Sequence, residues 1–236
     1  MIHFSVDDTI DIFKYLTEKK CSSVFQNPTL KAFKELNEKY GFKVSMYCFY
    51  ETEGFNLSMC PDKYRDEFRQ NANWLKFGFH ALNEKTDYAK GKAENFGEDL
   101  NKTLTALRNT VSEEAVTYNV RLGFGHGNIE CIKKMKECCK QFSVLYGVDD
   151  TRKVYYLDEN ENKGYLEKGA FYDENLKITI KNCKKRLEEN SSVKDDAESA
   201  EKSGISPFFT HECHLKKGKI LNDIETLCKS GHKFIV

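Results

Sequence analysis

Short β-prone runs alternate with segments of helical apolar spacing along most of this chain, and that alternation limits the fold more than any single motif. Ile2-His3-Phe4-Ser5-Val6 is followed by Ile12, Phe13 and Leu16 in helical register. Asn27-Pro28 supplies an N-cap with proline at the first helical position, Leu30, Phe33 and Leu36 form the apolar stripe, and Gly41 closes the helix ahead of a β-prone run over residues 44–50. A helix over 61–71, a strand over 74–79, a helix marked by Leu100, Leu104 and Leu107, a strand over 116–122, a helix marked by Ile129, Ile132 and Met135, and a strand over 142–146 continue the series. Parallel neighbours need crossovers of about a dozen residues or more, which these helices provide, so an α/β fold on a parallel sheet or barrel is expected. Residues 153–180 break the pattern: Tyr155-Tyr156, Tyr165-Leu166 and Ile178-Thr179-Ile180 lie between Gly- and Asn-rich turns and predict small inserted antiparallel hairpins. Residues 188–203 are polar and predict an exposed helix or loop; a strand over 205–210, a helix with Ile220, Ile224 and Leu227, and a short strand over 234–236 complete the chain.

The 236 residues suffice for one core, and a single domain over 1–236 is expected. Lys plus Arg and Asp plus Glu both number 37, giving zero net charge without a long basic block, which argues against nucleic acid as a partner. No apolar run nears the roughly 20 residues that span a bilayer, and the N-terminus lacks the basic-then-apolar pattern of a signal peptide, so neither a membrane partner nor export is expected. Nine cysteines, an odd count without tight repeated spacing, fit reduced thiols and a cytoplasmic location. The oligomeric state is not encoded in any pattern of the sequence.

The ends of the expected strands collect polar groups: Asp7-Asp8, His80 with Glu84, Arg121, Asp149-Asp150, and His211 with His214. Ligands of α/β proteins bind at the carboxyl ends of the strands, so these residues are candidates for one site. Two adjacent acids and Thr9 also suit a helix N-terminus, which is the plainer reading of that stretch alone. His80 and Glu84 are four apart and would share one face if the chain turned helical there; with Asp8 they could give three N/O ligands and an open position, as a catalytic Zn²⁺ or similar divalent cation requires. Asp7 would then take a proton from bound water. Arg121 could equally be a structural ion pair, His126 a cap of the following helix, and His3 a core residue.

The order and spacing of these residues resemble the polysaccharide deacetylases, carbohydrate esterases that remove N-acetyl groups from sugar polymers. Ser5-Val6-Asp7-Asp8 is similar to the family's Thr-Phe-Asp-Asp, which implies Asp7 as general base and Asp8 as metal ligand. His80-Ala81-Leu82-Asn83-Glu84 resembles its second motif, with His80 matching a ligand and Glu84 standing where the family has a second histidine. Arg121-Leu122-Gly123-Phe124-Gly125 is similar to the third, without its proline, and implies that Arg121 orients the base. Pro207-Phe208-Phe209-Thr210-His211 resembles the strand that supplies the general acid, His211; Asp149-Asp150 only echoes the remaining motif, and with His126 and His214 is assigned to surrounding positions. The resemblance implies a distorted (β/α) barrel of about seven parallel strands with a small hairpin insertion, a divalent metal (zinc first; cobalt, nickel or manganese otherwise), and a carbohydrate substrate. The alternatives are a non-catalytic carbohydrate-binding descendant of the fold and another metal-dependent amidase or sugar hydrolase; a phosphatase with an Asp nucleophile ranks behind, because Asp7 and Asp8 lack Asp-x-Asp spacing.

Overall fold

In the computed structural model, which describes residues 1–148, 153–183, 185–189, 192–200, 204–216 and 218–236, strand β1 (Ile2–Thr9) is central to the main sheet. Ile2, Phe4 and Val6 join the large apolar core, while His3, Ser5 and Asp7 alternate with them and turn to the opposite face. All six are buried, as expected where a parallel sheet is covered on both sides. Helix α1 (Asp11–Glu18) follows, then α2 (Pro28–Tyr40), whose N-cap Asn27 accepts from the backbone of Thr29 and Leu30, and whose end is set by Gly41 at φ 70°. Strand β2 (Val44–Phe49), a hairpin of β3 (Glu51–Thr52) and β4 (Phe55–Asn56), α3 (Arg65–Gln70), β5 (Leu75–Ala81), α4 (Ala93–Val111), β6 (Asn119–Val120), α5 (Ile129–Cys138) and β7 (Val144–Gly147) continue the alternation. After α6 (Glu159–Lys168) come β8 (Ala170–Asp173), β9 (Ile178–Asn182), β10 (Lys185–Arg186), α7 (Val193–Ala200), β11 (Ser206–His211), α8 (Gly218–Lys229) and β12 (Phe234–Ile235).

The strands form one sheet ordered β10-β11-β1-β2-β5, with β12 also on β1, and a second ordered β6-β7-β9-β8. Every pairing in the first is parallel, and only β8 runs against its neighbour in the second. The sheets meet at one parallel bridge between Phe77 and Val116 and through the short step from β9 to β10. The α/β class and the parallel arrangement expected from the sequence are therefore observed.

Three local expectations are corrected. Tyr165-Leu166 belongs to α6, not a hairpin: Asp158 and Glu161 form a capping box, and Gly169 in the left-handed region closes the helix. The strand expected over 116–122 shortens to β6 and the bridge at Val116. The polar stretch does contain a helix, α7, but its Val193 and Ala197 are buried and Glu188 ahead of it is half-buried, so it is not the wholly exposed helix or loop expected. The antiparallel pair that does form in this region is β8 with β9, and the β3–β4 hairpin was not foreshadowed.

The free N-terminus of α1 is closed by a residue distant in sequence. Glu212, directly after β11, accepts from the backbone N–H groups of Ile10 and Asp11 at 2.7 Å each and of Ile12 at 2.8 Å. This ties the end of β11 to the chain just beyond β1. Glu212→Ala should lower stability by about 3 kcal/mol or more, because buried donors lose their acceptor; urea denaturation monitored by circular dichroism measures the loss.

Candidate active site

Adjacent residues of a strand point to opposite faces, yet Asp7 and Asp8 both line one cavity of about 240 Å³. The register between β1 and β2 shifts between Val6 and Thr9, and Asp8 has φ 60°, so a bulge turns the second acid toward the cavity. His80 at the end of β5 and Arg121 just after β6 come from neighbouring strand ends, and His211 closes β11 beside Asp7, its Cα partner in the β1–β11 ladder.

Asp7 and Arg121 form a buried ion pair through Oδ2 and Nε, each side chain at most 5 % exposed. Arg121 Nη1 also donates to Gly147 O at 3.1 Å, and its guanidinium lies 3.9 Å from the Phe209 ring centroid. Burial opposes the charge on Arg121, but Asp7 outweighs it and raises the guanidinium pKa above its usual value. Gly147 has to be glycine: a Cβ there would approach Tyr165 Oη and Val154 Cγ1 at 2.6 Å. The second oxygen of Asp7, Oδ1, is buried without a hydrogen-bond partner. Arg121 thus fixes one oxygen of the carboxylate and leaves the other able to accept a proton.

His80 is oriented by its Nδ1–H, which donates to Arg121 O. Its Nε2 therefore points at Asp8 Oδ1, 3.0 Å away. A neutral ring would bring a lone pair toward a carboxylate, so a proton or a cation belongs between them. Burial would raise the pKa of Asp8, but the hydrogen bond and charge of His80 lower it. Glu84 lines the same cavity from an exposed turn; the segment after His80 bends rather than becoming helical, so the expected face shared by His80 and Glu84 is not formed. Among the described residues, no three His, Cys, Asp or Glu side chains already converge as a metal cage.

His211 is held by Glu188, the first residue of the polar stretch and not one of the site candidates. Its Nδ1–H donates to Glu188 Oε1, while Thr210 Oγ1 donates to Oε2 at 2.9 Å and Arg186 Nε to Oε1 at 2.9 Å. Burial would raise the Glu188 pKa, but His211, the Glu188 backbone N–H and Arg186 bring it down to about 2; burial would lower that of His211, but Glu188, Asp7 and Asp8 hold it above its usual value. Nothing local in the sequence separates Glu188 from its acidic neighbours; only the fold brings it to His211.

His214 and His126 lie outside this cluster. His214 has its ring 6.4 Å from that of His211, and His126 Nδ1 lies 3.7 Å from Asp87 Oδ1. Asp149 and Asp150 fall outside the described residues. His3 is buried, as expected of a core residue, and stacks on Tyr146 with centroids 4.3 Å apart.

No family model and no curated protein matches the sequence. Solved structures do share its fold. The Xyl-CE4 domain of a multidomain xylanase from the hindgut metagenome of Trinervitermes trinervoides is 12 % identical with a TM-score of 0.52, over 99 % of this chain and 85 % of that one. A family 4 acetyl xylan esterase from Clostridium thermocellum, in complex with a cobalt ion, is 10 % identical with a TM-score of 0.50, over 99 % and 86 %. A 4-alpha-glucanotransferase from Thermococcus litoralis is 12 % identical with a TM-score of 0.62, but this chain spans only 37 % of it. The likeness to polysaccharide deacetylases read from the motifs thus extends to the fold, which also carries a different carbohydrate chemistry.

The Glu188–His211 pair has a defined pH signature. The contribution of Glu188 to stability is complete above its ordinary value of 4.5 and is lost as pH falls toward about 2. That of His211 is present below its ordinary value of 6.5 and is lost as pH rises through the raised value. In Glu188→Gln the His211 imidazolium should deprotonate at lower pH than in the parent, read from the His211 Cε1 proton in an NMR titration; an unmoved midpoint would refute the pairing.

Proposed function

We propose that this chain is a metal-dependent hydrolase that removes the acetyl group from an N-acetylated sugar. The observation that carries the reading is the buried Asp7–Arg121 pair with Asp7 Oδ1 left unpartnered on the strand next to His211. Supporting it, and setting the two-residue β12 aside, the parallel strands β11, β1, β2, β5, β6, β7 and β9 are consistent with a distorted (β/α) barrel of about seven strands.

Asp7 Oδ1 accepts the proton of the attacking water while Arg121 keeps the carboxylate in place. His211, kept protonated by Glu188, donates to the leaving nitrogen. Asp8 and His80 are the side chains that would hold a divalent cation, with Glu84 the nearest further carboxylate on the cavity wall; zinc suits their N/O chemistry, and two acids with one imidazole also admit cobalt, nickel or manganese. Such a cation supplies Lewis acidity to the acyl oxygen and acidifies water. The turn over residues 123–125 spends the N–H groups of Gly125 and His126 internally, which points to those of Gly123 and Phe124 as donors to the oxyanion. Buried thiols at Cys21, Cys48, Cys60, Cys131 and Cys228 support a reducing, cytoplasmic setting, and with it a small glycoside as substrate rather than a wall polymer. No helix among the described residues is long and apolar enough to cross a membrane.

A second reading, carbohydrate binding without turnover, is favoured by the exposed position of Glu84, which leaves only Asp8 and His80 in mutual contact. Acetate release from N-acetylglucosamine oligomers, assayed after addition of each divalent metal, separates the two. Hydrolysis should occur and fall by about 10²–10⁴-fold in Asp7→Asn. Full activity in that variant would remove Asp7 as the base, and protein that takes up no divalent metal under replete conditions would end the hydrolase reading.

A further inference from the structure

The carbonyl of Arg121 and the N–H of Leu122 belong to one peptide group, and both are bonded to buried side chains. The carbonyl accepts from His80 Nδ1–H, the bond that turns Nε2 toward Asp8. The N–H donates to Tyr155 Oη at 3.4 Å, and that hydroxyl donates in turn to Tyr146 O of β7 at 2.7 Å. One series of hydrogen bonds therefore runs from His80 through the 121–122 peptide and Tyr155 to β7. All its donors point the same way, the arrangement in which successive bonds polarise and strengthen one another. Tyr155 is 4 % exposed, and burial pushes its phenol well above the usual range, so the hydroxyl keeps its proton and remains a donor.

The backbone of Tyr155 holds the other end of the same turn. Its N–H donates to Gly125 O at 3.1 Å, so one residue clasps residues 122–125 at both ends, by its hydroxyl at Leu122 and by its amide at Gly125. Phe124 at φ 60° and Gly125 at φ 64° place two successive residues of this turn in the left-handed region, and Tyr155 joins them at φ 49°. That conformation is unfavourable for an aromatic residue and persists only where the surroundings over-determine it, as the bonds from both ends of Tyr155 do here. Tyr155 does not line the catalytic cavity, so whatever it contributes there passes through the residues it holds.

We propose that Tyr155 is a positioning residue of this site: it fixes the peptide that orients His80, and with it the turn that presents the Gly123 and Phe124 N–H groups. What the positioned groups then do rests on the hydrolase reading above, whereas the hydrogen-bond series is a property of the chain itself. Without the hydroxyl, the Leu122 N–H loses its acceptor and the peptide turns to find another. The Arg121 carbonyl turns with it, because the peptide is planar. His80 Nδ1–H is then left without its partner, and the direction of Nε2 is no longer set.

NMR of the metal-free protein, kept so with EDTA, tests this without turnover. In the unsubstituted chain the Leu122 amide should be protected from hydrogen exchange and the His80 Nδ1 proton should exchange slowly; a freely exchanging Leu122 amide would overturn the proposal with no variant needed. In Tyr155→Phe the His80 Nδ1 proton should move upfield or be lost to exchange. Tyr64→Phe, which removes another buried hydroxyl bonded to backbone carbonyls, should leave that proton where it is. An unmoved proton in Tyr155→Phe, or an equal shift in Tyr64→Phe, would overturn the assignment. Zinc affinity, measured by competition with a chelator, should fall about tenfold in Tyr155→Phe, as for other changes behind a ligating histidine. On N-acetylglucosamine oligomers kcat should fall with KM little changed, the mark of an interaction lost in the transition state; zinc affinity and kcat both at parent values would also refute the role. An unsubstituted protein that takes up no zinc or releases no acetate would end the hydrolase reading alone, and the His80 and Leu122 resonances would still decide on Tyr155.

Discussion

The buried pair of Asp7 and Arg121 holds the molecule's two halves together. Asp7 ends the central strand of one sheet, and Arg121 follows β6 of the other; the same guanidinium donates to Gly147 of β7 and lies over Phe209 of β11. Among the described residues one isolated backbone bridge, Phe77 to Val116, joins β5 to the chain leading into the second sheet, and the Arg121 side chain adds a second tie between the sheets. Burying two charges costs several kcal/mol each, and an apolar pair of similar volume would hold the sheets at least as well. A charged pair stands here instead, with one carboxylate oxygen left unsatisfied, which fits the base proposed at Asp7.

The same economy runs along the inner face of the main sheet. On β1 the side chains of Ile2, Phe4 and Val6 go to the apolar core, while His3, Ser5 and Asp7 go to the other side; on β2, Ser45 is the ladder partner of Ser5, and Tyr47 lies two residues beyond it. Tyr47, Tyr146, Cys183 and Phe209 form a small cluster there, separate from the large core. Burial, with the charges of Lys181 and Arg121, pushes the His3 pKa down to about 3, so the imidazole stacked on Tyr146 stays neutral. Stability resides in the layer between sheets and helices, and the inner layer is left free to carry polar groups to the cavity.

What the sequence discloses is what neighbouring residues encode. The cap at Asn27, the stop at Gly41 and the strands ending near Asp7, His80 and His211 are all local, and all are where the pattern puts them. Apolar residues between turn-prone ones, as around Tyr165, suit a hairpin as well as a short helix; the Asp158-x-x-Glu161 box is the signal that decides for the helix. Glu188 and Glu212 were beyond reach for another reason. One serves a histidine 23 residues away and the other a helix N-terminus about 200 residues away, and neither distance leaves a periodic trace.

Those two acids divide the site into a fixed part and an adjustable one. Residues 210–212 are committed in succession: Thr210 and His211 to Glu188, and Glu212 to the start of α1. Together with the Asp7–His211 pairing of β1 and β11, this sets the spacing of the proposed base and acid by backbone register, about 4.8 Å between neighbouring strands. The proposed metal end has no such frame. Asp8 depends on a bulge with a left-handed residue, its side chain is 36 % exposed, and Glu84 sits on an exposed turn. A substitution at the second position of the proposed metal motif would therefore alter coordination without disturbing the Asp7–Arg121–His211 arrangement, which would let a glutamate stand where the resembling family has histidine.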